Sequence, residues 1–501
     1  ELLSHLSVLK DSELLYERGI FPQSTFVFKH ALTREVVYDS ILAKRRKLLH
    51  DKIGRVIEEL YADNISDHYG VLAEHFLVSD VHDKAAKYAR LASKKAEKAT
   101  SLNDAILYAE KGIACLERLP TGAEVLKKII DARTILALYL TQMNYFGKAK
   151  EIVDPIKEAA AQGSYGRRLS QICAVTGMFE CWVQEDVSRA LEQLTLALRL
   201  AEKVGETVSL FFAHFWLGCA LCFDCRFEEA FAHIREALKI NIAVNNLWGV
   251  SVMKSNQSLF QFFHGKIDLS FRTGTEAVRL AEQSGDILSS TWAHTLHGVA
   301  LYGRGALEES IENLSRGVDL AARINQLFLG AVARSILAET HLEIEGHELA
   351  KICCREAIEL IERMRWLPSF ANLTRMILIK GQTLSGERTT ELAQLHSYVR
   401  LNRLKIYEGW TRRYLGEILL ILGKQHLPEA QPWIEQAIEA DERNGMRWHL
   451  ARDIAVYSEL FKRKGDREKA REQLGIAIDI YKECGADGWV TRAEEEMAKL
   501  S

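Results

Sequence analysis

From about residue 83 onward, small and large apolar residues return along the chain with a period of 40. Small side chains stand at Ala190, Ala230, Ser270, Ser310, Ala350, Ala430 and Ala470, with Thr390 at the one weak slot. Seven positions further on come Ala197, Ala237, Ala277, Gly317, Ala357, Ala437 and Ala477, and between the two series lie Leu194, Ile234, Leu314, Ile434 and Leu474. Residues i, i+4 and i+7 share one helical face, so each period predicts a helix with a small–large–small stripe that a neighbour can approach closely. A second helix precedes each of these, with Gly218, Gly298 and Ala338 each twelve residues before an anchor. Glycine-centred turns such as "GKID", "GALEES" and "KGDREKA" separate the two helices. Two helices per unit, with stripes that only adjacent units can cover, define a solenoid of about nine or ten units ending at residue 501. The earlier units, with Ala105/Ala109/Gly112 and Ala149/Val153/Ile156, are less regular, and the unit near residue 390 is degenerate.

The chain begins differently. "ELLYER" and "TFVF" read as two short strands within residues 13–28, joined by a turn that contains Gly19 and Pro22. A helix is expected over residues 31–42. Another is expected from about Arg45 to Leu60, where Leu48, Leu49, Ile53, Val56, Ile57 and Leu60 form an apolar face. The organisation expected is an N-terminal subdomain with linker helices over 1–62, transition helices and a first repeat over 63–120, and the repeat solenoid over 121–501.

Composition narrows the function classes. Of 501 residues 48% are hydrophobic, 27% charged and only 6 are proline, which suits a folded chain with long helices. A net charge of −3 supplies no drive toward nucleic acid or an anionic membrane. The most apolar stretch, "LFFAHFWLGCALCF" from Leu210 to Phe223, is too short for a bilayer span, which needs about 20 residues, and reads as a buried helix. No signal peptide is apparent. The chain opens on Glu1 and reads as a piece of a longer protein. Nine cysteines do not form a disulfide framework, and a reducing cytoplasm fits them.

Catalytic motifs are missing from the sequence. "FGKAK", "HGKID" and "LGKQH" lack the first glycine and the hydroxyl of a P-loop, and "HELAK" at His347 lacks the second histidine of a zinc protease. Cys219, Cys222 and Cys225 run along a helix among apolar neighbours and lack a fourth ligand, and His294 and His297 form a lone pair one turn apart. No cofactor, metal or enzymatic activity is expected of this chain. DNA binding has weak support: "ELLSHLSVLKD" carries one lysine, and "AKRRK" is a short basic run.

Two resemblances go further. The pattern L-G-x2-[Y/L] followed by A-x3-[F/L/I]-x2-A resembles tetratricopeptide repeats, in the longer variety of large bacterial signalling ATPases. The segment Phe28-Lys29-His30-Ala31-Leu32, then Glu35-Val36 and Tyr38, then Arg45-Arg46 with Leu49-His50, looks like the stretch that follows the P-loop module in a bacterial family. That family joins a class III adenylate/guanylate cyclase, or another output domain, to a STAND-type ATPase and a tetratricopeptide tail. The resemblance implies an all-α, right-handed superhelical solenoid behind a partial winged-helix-like subdomain with a β-hairpin. It also implies a non-catalytic regulatory and interaction module whose partner is a protein or peptide, such as the chain's own upstream domains.

His30, Arg34, Arg45 and Arg46 are then candidates for coupling to the ATPase core; the alternative is a solvated face with His30 capping or packing at the strand–helix joint. In tetratricopeptide arrays, positions 2, 5, 9, 12 and 13 face the concave groove. Counting from the anchors, this assigns a partner groove to Phe179, Trp182, Phe212, Phe215, Phe223, Leu259, Phe262, Phe263, Trp292 and Tyr302, with Phe262 and Trp182 expected to keep accessible edges; the alternative is that longer helices and a tighter superhelix bury these side chains between repeats. The final unit instead places Arg452, Ala455, Glu459, Lys462 and Arg463 at these positions. Two other functions compete: a stand-alone scaffold that binds a peptide, and a DNA-binding regulator.

Overall fold

The computed structural model describes residues 2–19, 24–99, 101–163, 165–387 and 392–500. Pro22 of the expected turn and the weak repeat slot at Thr390 lie outside them. Among the described residues are twenty-five α-helices and one two-stranded sheet. The chain divides into two compact units, residues 1–139 and 140–501.

In the first unit, α1 (Leu2–Asp11) leads into β1 (Leu15–Arg18) and β2 (Thr25–Phe28). The strands are antiparallel, with Leu15 opposite Phe28 and Arg18 opposite Thr25. This is the hairpin read from the aromatic and β-branched run. Next come α2 (Ala31–Ser40), α3 (Ala43–Leu60), α4 (Tyr69–Val78), α5 (His82–Lys98) and α6 (Leu102–Leu116). The unit's core is built from α4 and α5: Leu72, Phe76, Ala85, Tyr88 and Ala89 are buried together, and Ile57 of α3 packs against them. Gly54 lets α3 come down onto the Phe76 ring, because a Cβ there would lie 2.9 Å from Phe76 Cζ.

The second unit is the repeat array. Helices alternate as Gly166–Trp182 with Val187–Val204, Thr207–Phe223 with Phe227–Ala243, and Leu247–Phe263 with Ile267–Ser284, and so on to Asp487–Lys499. The joints follow from local chemistry. Gly285 (φ 66°) ends the helix Ile267–Ser284 in the left-handed region, where a side chain would be strained. Asp286 then caps Ile287–Arg304 by accepting a hydrogen bond from the Ser289 amide at 2.6 Å.

The small–large–small stripe works as its spacing implies. Ala230, Ile234 and Ala237 are fully buried, and Ile234 lies against Gly218 of the preceding helix. The same fit recurs with Leu314 on Gly298, more tightly. An added Cβ would sit 3.1 Å from Ile234 Cγ1 at Gly218, but 2.6 Å from Leu314 Cγ and 3.2 Å from the Leu314 backbone nitrogen at Gly298. Gly298→Leu is therefore expected to cost ~1–3 kcal/mol by overpacking. Gly218→Ala should be close to neutral, because the side chain it meets can shift and alanine favours helix. Urea denaturation of both variants checks the order, and equal midpoints would contradict this register.

Successive turns of the superhelix touch. Contacts recur at sequence separations of 182, 184 and 187 residues: Asn144 Nδ2 donates to Gln326 Oε1, Ser369 Oγ to Glu185 Oε2, and the Trp489 indole N–H to the Tyr302 carbonyl. The Leu367 amide donates to the Trp182 carbonyl at 2.7 Å. Gly305 (φ 85°) and Gly488 meet backbone to backbone, each filling the space a Cβ of the other would need. The winding is so tight that the concave side faces itself across the superhelix axis.

Candidate functional site

The helix positions assigned to a partner groove do converge on the concave side, but that side is filled. Phe262 is 0% exposed, and its ring lies 5.2 Å from Trp448 and 5.5 Å from His449, centroid to centroid. Tyr302 is fully buried between Trp448 and Trp489, at 5.6 and 5.7 Å. Trp182 is 7% exposed and is ringed by Phe146, Trp216, Phe223, Phe328 and Trp366 at 4.6–6.1 Å. The accessible edges expected for Phe262 and Trp182 are therefore absent, and this corrects the open-groove expectation. The physical reason is the winding just described: the next turn of helices, from residues 326–370 and 447–489, supplies the partner surface. Phe215, Phe223 and Phe263 are buried with them, while Phe179, Phe212, Leu259 and Trp292 are half-buried.

The aromatic packing leaves a cavity of about 70 Å³ inside this unit. Its walls come from residues as far apart in sequence as Asn144 and Trp410, and they include Trp182, Trp216, Trp292, Trp366, Phe262 and Val332. Only Asn144, Asn256, Cys219, Tyr407 and the indole nitrogens bring polar atoms to the lining residues, and no ionised side chain is among them.

Further along the axis the filling is ionic. Arg413 Nη1 donates to Asp453 Oδ1 at 2.9 Å, and its Nε lies 3.6 Å from Glu417 Oε1. Arg452 pairs with Glu343 at 2.5 Å, and the Tyr302 hydroxyl donates to Glu339 at 2.9 Å. Burial pushes the Glu339 carboxyl up to about 7, against the pull of Arg413. Burial also raises Asp441 and Asp453 and holds His449 neutral. Arg452, largely buried, meets Glu343 rather than water. The sequence signal for the cluster is the run of charges on faces that elsewhere carry aromatics.

The proposed coupling residues behave otherwise. His30, Arg34 and Arg45 are exposed, and Arg46 is half-buried. His30 occupies the N-cap position of α2 but makes no side-chain capping bond. Arg46 pairs with Asp39 at 3.2 Å and lies 4.8 Å from the Tyr38 ring. Tyr38 reaches His50 Nε2 at 3.0 Å, and His50 Nδ1 meets His75 Nδ1 at 2.9 Å, so these groups link α2, α3 and α4. Burial lowers both histidines, as does the charge of Arg46 on His50. The structure does not bring His30 and Arg34 into this chain of contacts.

What surrounds them is apolar. Helix α2 buries no residue, and α3 buries only Gly54. Leu32 and Leu60 are each 70% exposed; Val36, Leu42, Leu48, Leu49, Ile53 and Val56 are exposed as well. The stripe Leu49–Ile53–Val56–Leu60 lies on one side of α3, beside the face that Gly54 and Ile57 turn toward α4.

Cys219 and Cys222 are buried in the helix Thr207–Phe223, and burial raises their thiols far above the usual range. Among the described residues, no group of three or more His, Cys, Asp or Glu could hold a metal ion, and no helix is long and apolar enough to cross a membrane.

No family model matches the chain, and no curated protein matches it by sequence. Among solved structures it is similar to a signal transduction ATPase with numerous domains (STAND) with a tetratricopeptide repeat sensor from Pyrococcus horikoshii. The identity is 14% and the TM-score 0.46, over 87% of this chain and 59% of that one, so the chain spans less than two thirds of that protein. It is also similar to aspartyl phosphate phosphatase F from Bacillus subtilis, with 12% identity, coverages of 72% and 95%, and a TM-score of 0.41. A third likeness is to NprR in complex with its cognate peptide NprX, with 12% identity, coverages of 74% and 98%, and a TM-score of 0.36.

Proposed function

We propose that this chain is the non-catalytic regulatory and protein-interaction part of a multidomain signalling ATPase of the cytoplasm, and that it docks on its own ATPase module through α2 and α3. The observation that carries this is the unpartnered apolar stripe Leu49–Ile53–Val56–Leu60, with Leu32 and Val36 on α2 and Leu42 at the start of α3. Contiguous exposed apolar surface of this kind marks interfaces. It lies in the segment whose residues resemble the joint behind a P-loop module, and it contains Arg34 and Arg45, which remain exposed for a partner. The closed concave side leaves α2 and α3 as the better-supported docking surface. A nucleotide cyclase output is the finer form of this proposal, resting on the sequence resemblance alone.

The experiment is a calorimetric titration of the separately produced ATPase module, encoded in the same gene, into this chain. A 1:1 complex is expected, and Val56→Asp should weaken it at least ~10-fold, or about 1.4 kcal/mol, while leaving the helical circular dichroism unchanged. A gene without a P-loop module, or binding indifferent to Val56→Asp and Leu49→Asp, overturns the proposal.

A further inference from the structure

We infer that a polar cleft of the 140–501 unit, where two turns of the superhelix meet, binds a small zwitterion with an apolar body: an α-amino acid or a dipeptide. The cleft measures about 520 Å³, within the ~300–1,000 Å³ usual for small-molecule sites. One side is the joint between the helices Ile287–Arg304 and Leu307–Arg323, together with Phe271 of the helix before them. The other side is Asp487 and Gly488, which open the helix Asp487–Lys499.

Charge sets the class. The Arg304 guanidinium lies 4.4 Å from the Phe271 ring centroid and 3.7 Å from the Asp487 carboxylate. The second distance is beyond a hydrogen bond, so the pair leaves the N–H fork of Arg304 free to donate. Glu309, in the first turn of the next helix, is exposed in the cleft and makes no ion pair among the described residues. His297 adds no charge, because burial pushes its imidazole down to about 4. The cleft therefore offers one cation and two acids. A simple anion would meet two carboxylates of its own sign, and a simple cation would meet Arg304. A molecule that carries both signs pairs with all three. Its carboxylate suits the Arg304 fork, which can hold it through two parallel hydrogen bonds; its ammonium suits Glu309 and Asp487. Phe271, Leu301 and Ala306 supply an apolar wall for the body between them.

Position supplies the consequence. Beside the cleft the two turns already touch, through the backbones of Gly305 and Gly488 and the hydrogen bond from the Trp489 indole to the Tyr302 carbonyl at 2.9 Å. An occupant held by Arg304 and Glu309 on one turn and by Asp487 on the other favours the closed winding. The inference does not rest on the docking of α2 and α3, which belong to the other unit.

The probes are L-leucine and leucyl-leucine, titrated calorimetrically into the full chain. They are compared with 3-methylbutylamine, which lacks the carboxylate of leucine, and 4-methylpentanoate, which lacks its ammonium. Saturable 1:1 binding is expected, with a rise in melting temperature, and the tighter of the two zwitterions identifies the source. Each single-sign analogue should bind at least ~10-fold more weakly, since a hydrogen bond to a charged group contributes ~1.5–3 kcal/mol. Arg304→Gln should erase the advantage of leucine over 3-methylbutylamine, and Glu309→Gln its advantage over 4-methylpentanoate; a loss of packing alone would not separate the two analogues. Thr275→Trp, at an exposed cleft position, should block both zwitterions. No saturable binding of either zwitterion, or undiminished binding in folded Thr275→Trp, overturns the site. Binding of 3-methylbutylamine or 4-methylpentanoate as tight as that of leucine overturns the ligand class.

Discussion

Truncation of Phe262 to alanine is expected to destabilise the 140–501 unit by ~3–5 kcal/mol, the cost of removing a fully buried ring. The ring is 0% exposed and packs on Trp448, His449 and Phe263. It also lies directly on Gly303: a Cβ there would come within 2.7 Å of Phe262 Cδ2. A glycine has no side chain to swing into the space, so relaxation is poor and the cavity persists. Trp448 belongs to the next turn of the superhelix, so the loss also loosens contact between turns. Phe262→Leu, which keeps most of the volume, should lose far less. The check is the urea midpoint with its slope. A loss below 1 kcal/mol would mean that the ring reaches solvent and that the concave side is open.

That expectation takes the buried one of the two readings that the repeat positions left open. The 40-residue register was legible because it is local. Ala230, Ile234 and Ala237 must face the neighbouring helix whatever the rest of the array does, and glycine opposite Ile234 or Leu314 records how closely the helices approach. The hairpin was legible because Tyr16, Phe26 and Val27 crowd into two short runs. Whether the groove is open depends instead on superhelical pitch, the sum of many small rotations between repeats. No window of sequence contains it, because the contacts that close the groove join residues 182 to 187 apart.

One trace was present: Arg413, Glu417, Glu339 and Arg452 carry opposite charges on inner faces of different repeats. Such signs make sense only if those faces meet. On α3 the failure was of another kind. Leu49, Ile53, Val56 and Leu60 read as an apolar face and do line one side of α3, but that face packs against nothing in this unit and all four are exposed, which the sequence alone does not say.

Replacing Arg413 with methionine should also destabilise the fold by ~3–5 kcal/mol, because removing one partner strands buried charges. The guanidinium is 2% exposed and contacts Asp453 and Glu417. Three cations, Arg413, Arg452 and Lys380, face five acids along the axis: Glu339, Glu343, Glu417, Asp441 and Asp453. The sign of the pH dependence follows from the raised acids. Burial lifts Glu339 to about 7 and raises Asp441 and Asp453 above the usual carboxylate range. A group whose folded-state pKa is raised contributes stability that is fully present below its unfolded value and is lost as pH rises through the folded one. For Glu339 that window runs from the ordinary carboxylate range to about pH 7. Arg413 is one of the charges that pulls Glu339 and Asp453 back down. Without it these acids hold their protons to higher pH, and ionising them costs more. The penalty of Arg413→Met should therefore be larger at pH 8 than at pH 5, and Glu339→Gln in the same background should recover part of it at pH 8 only. Urea denaturation at the two pH values measures both effects. An equal penalty at pH 5 and pH 8 would mean that the axis acids are already neutral across this range, and that Arg413 acts there through packing alone.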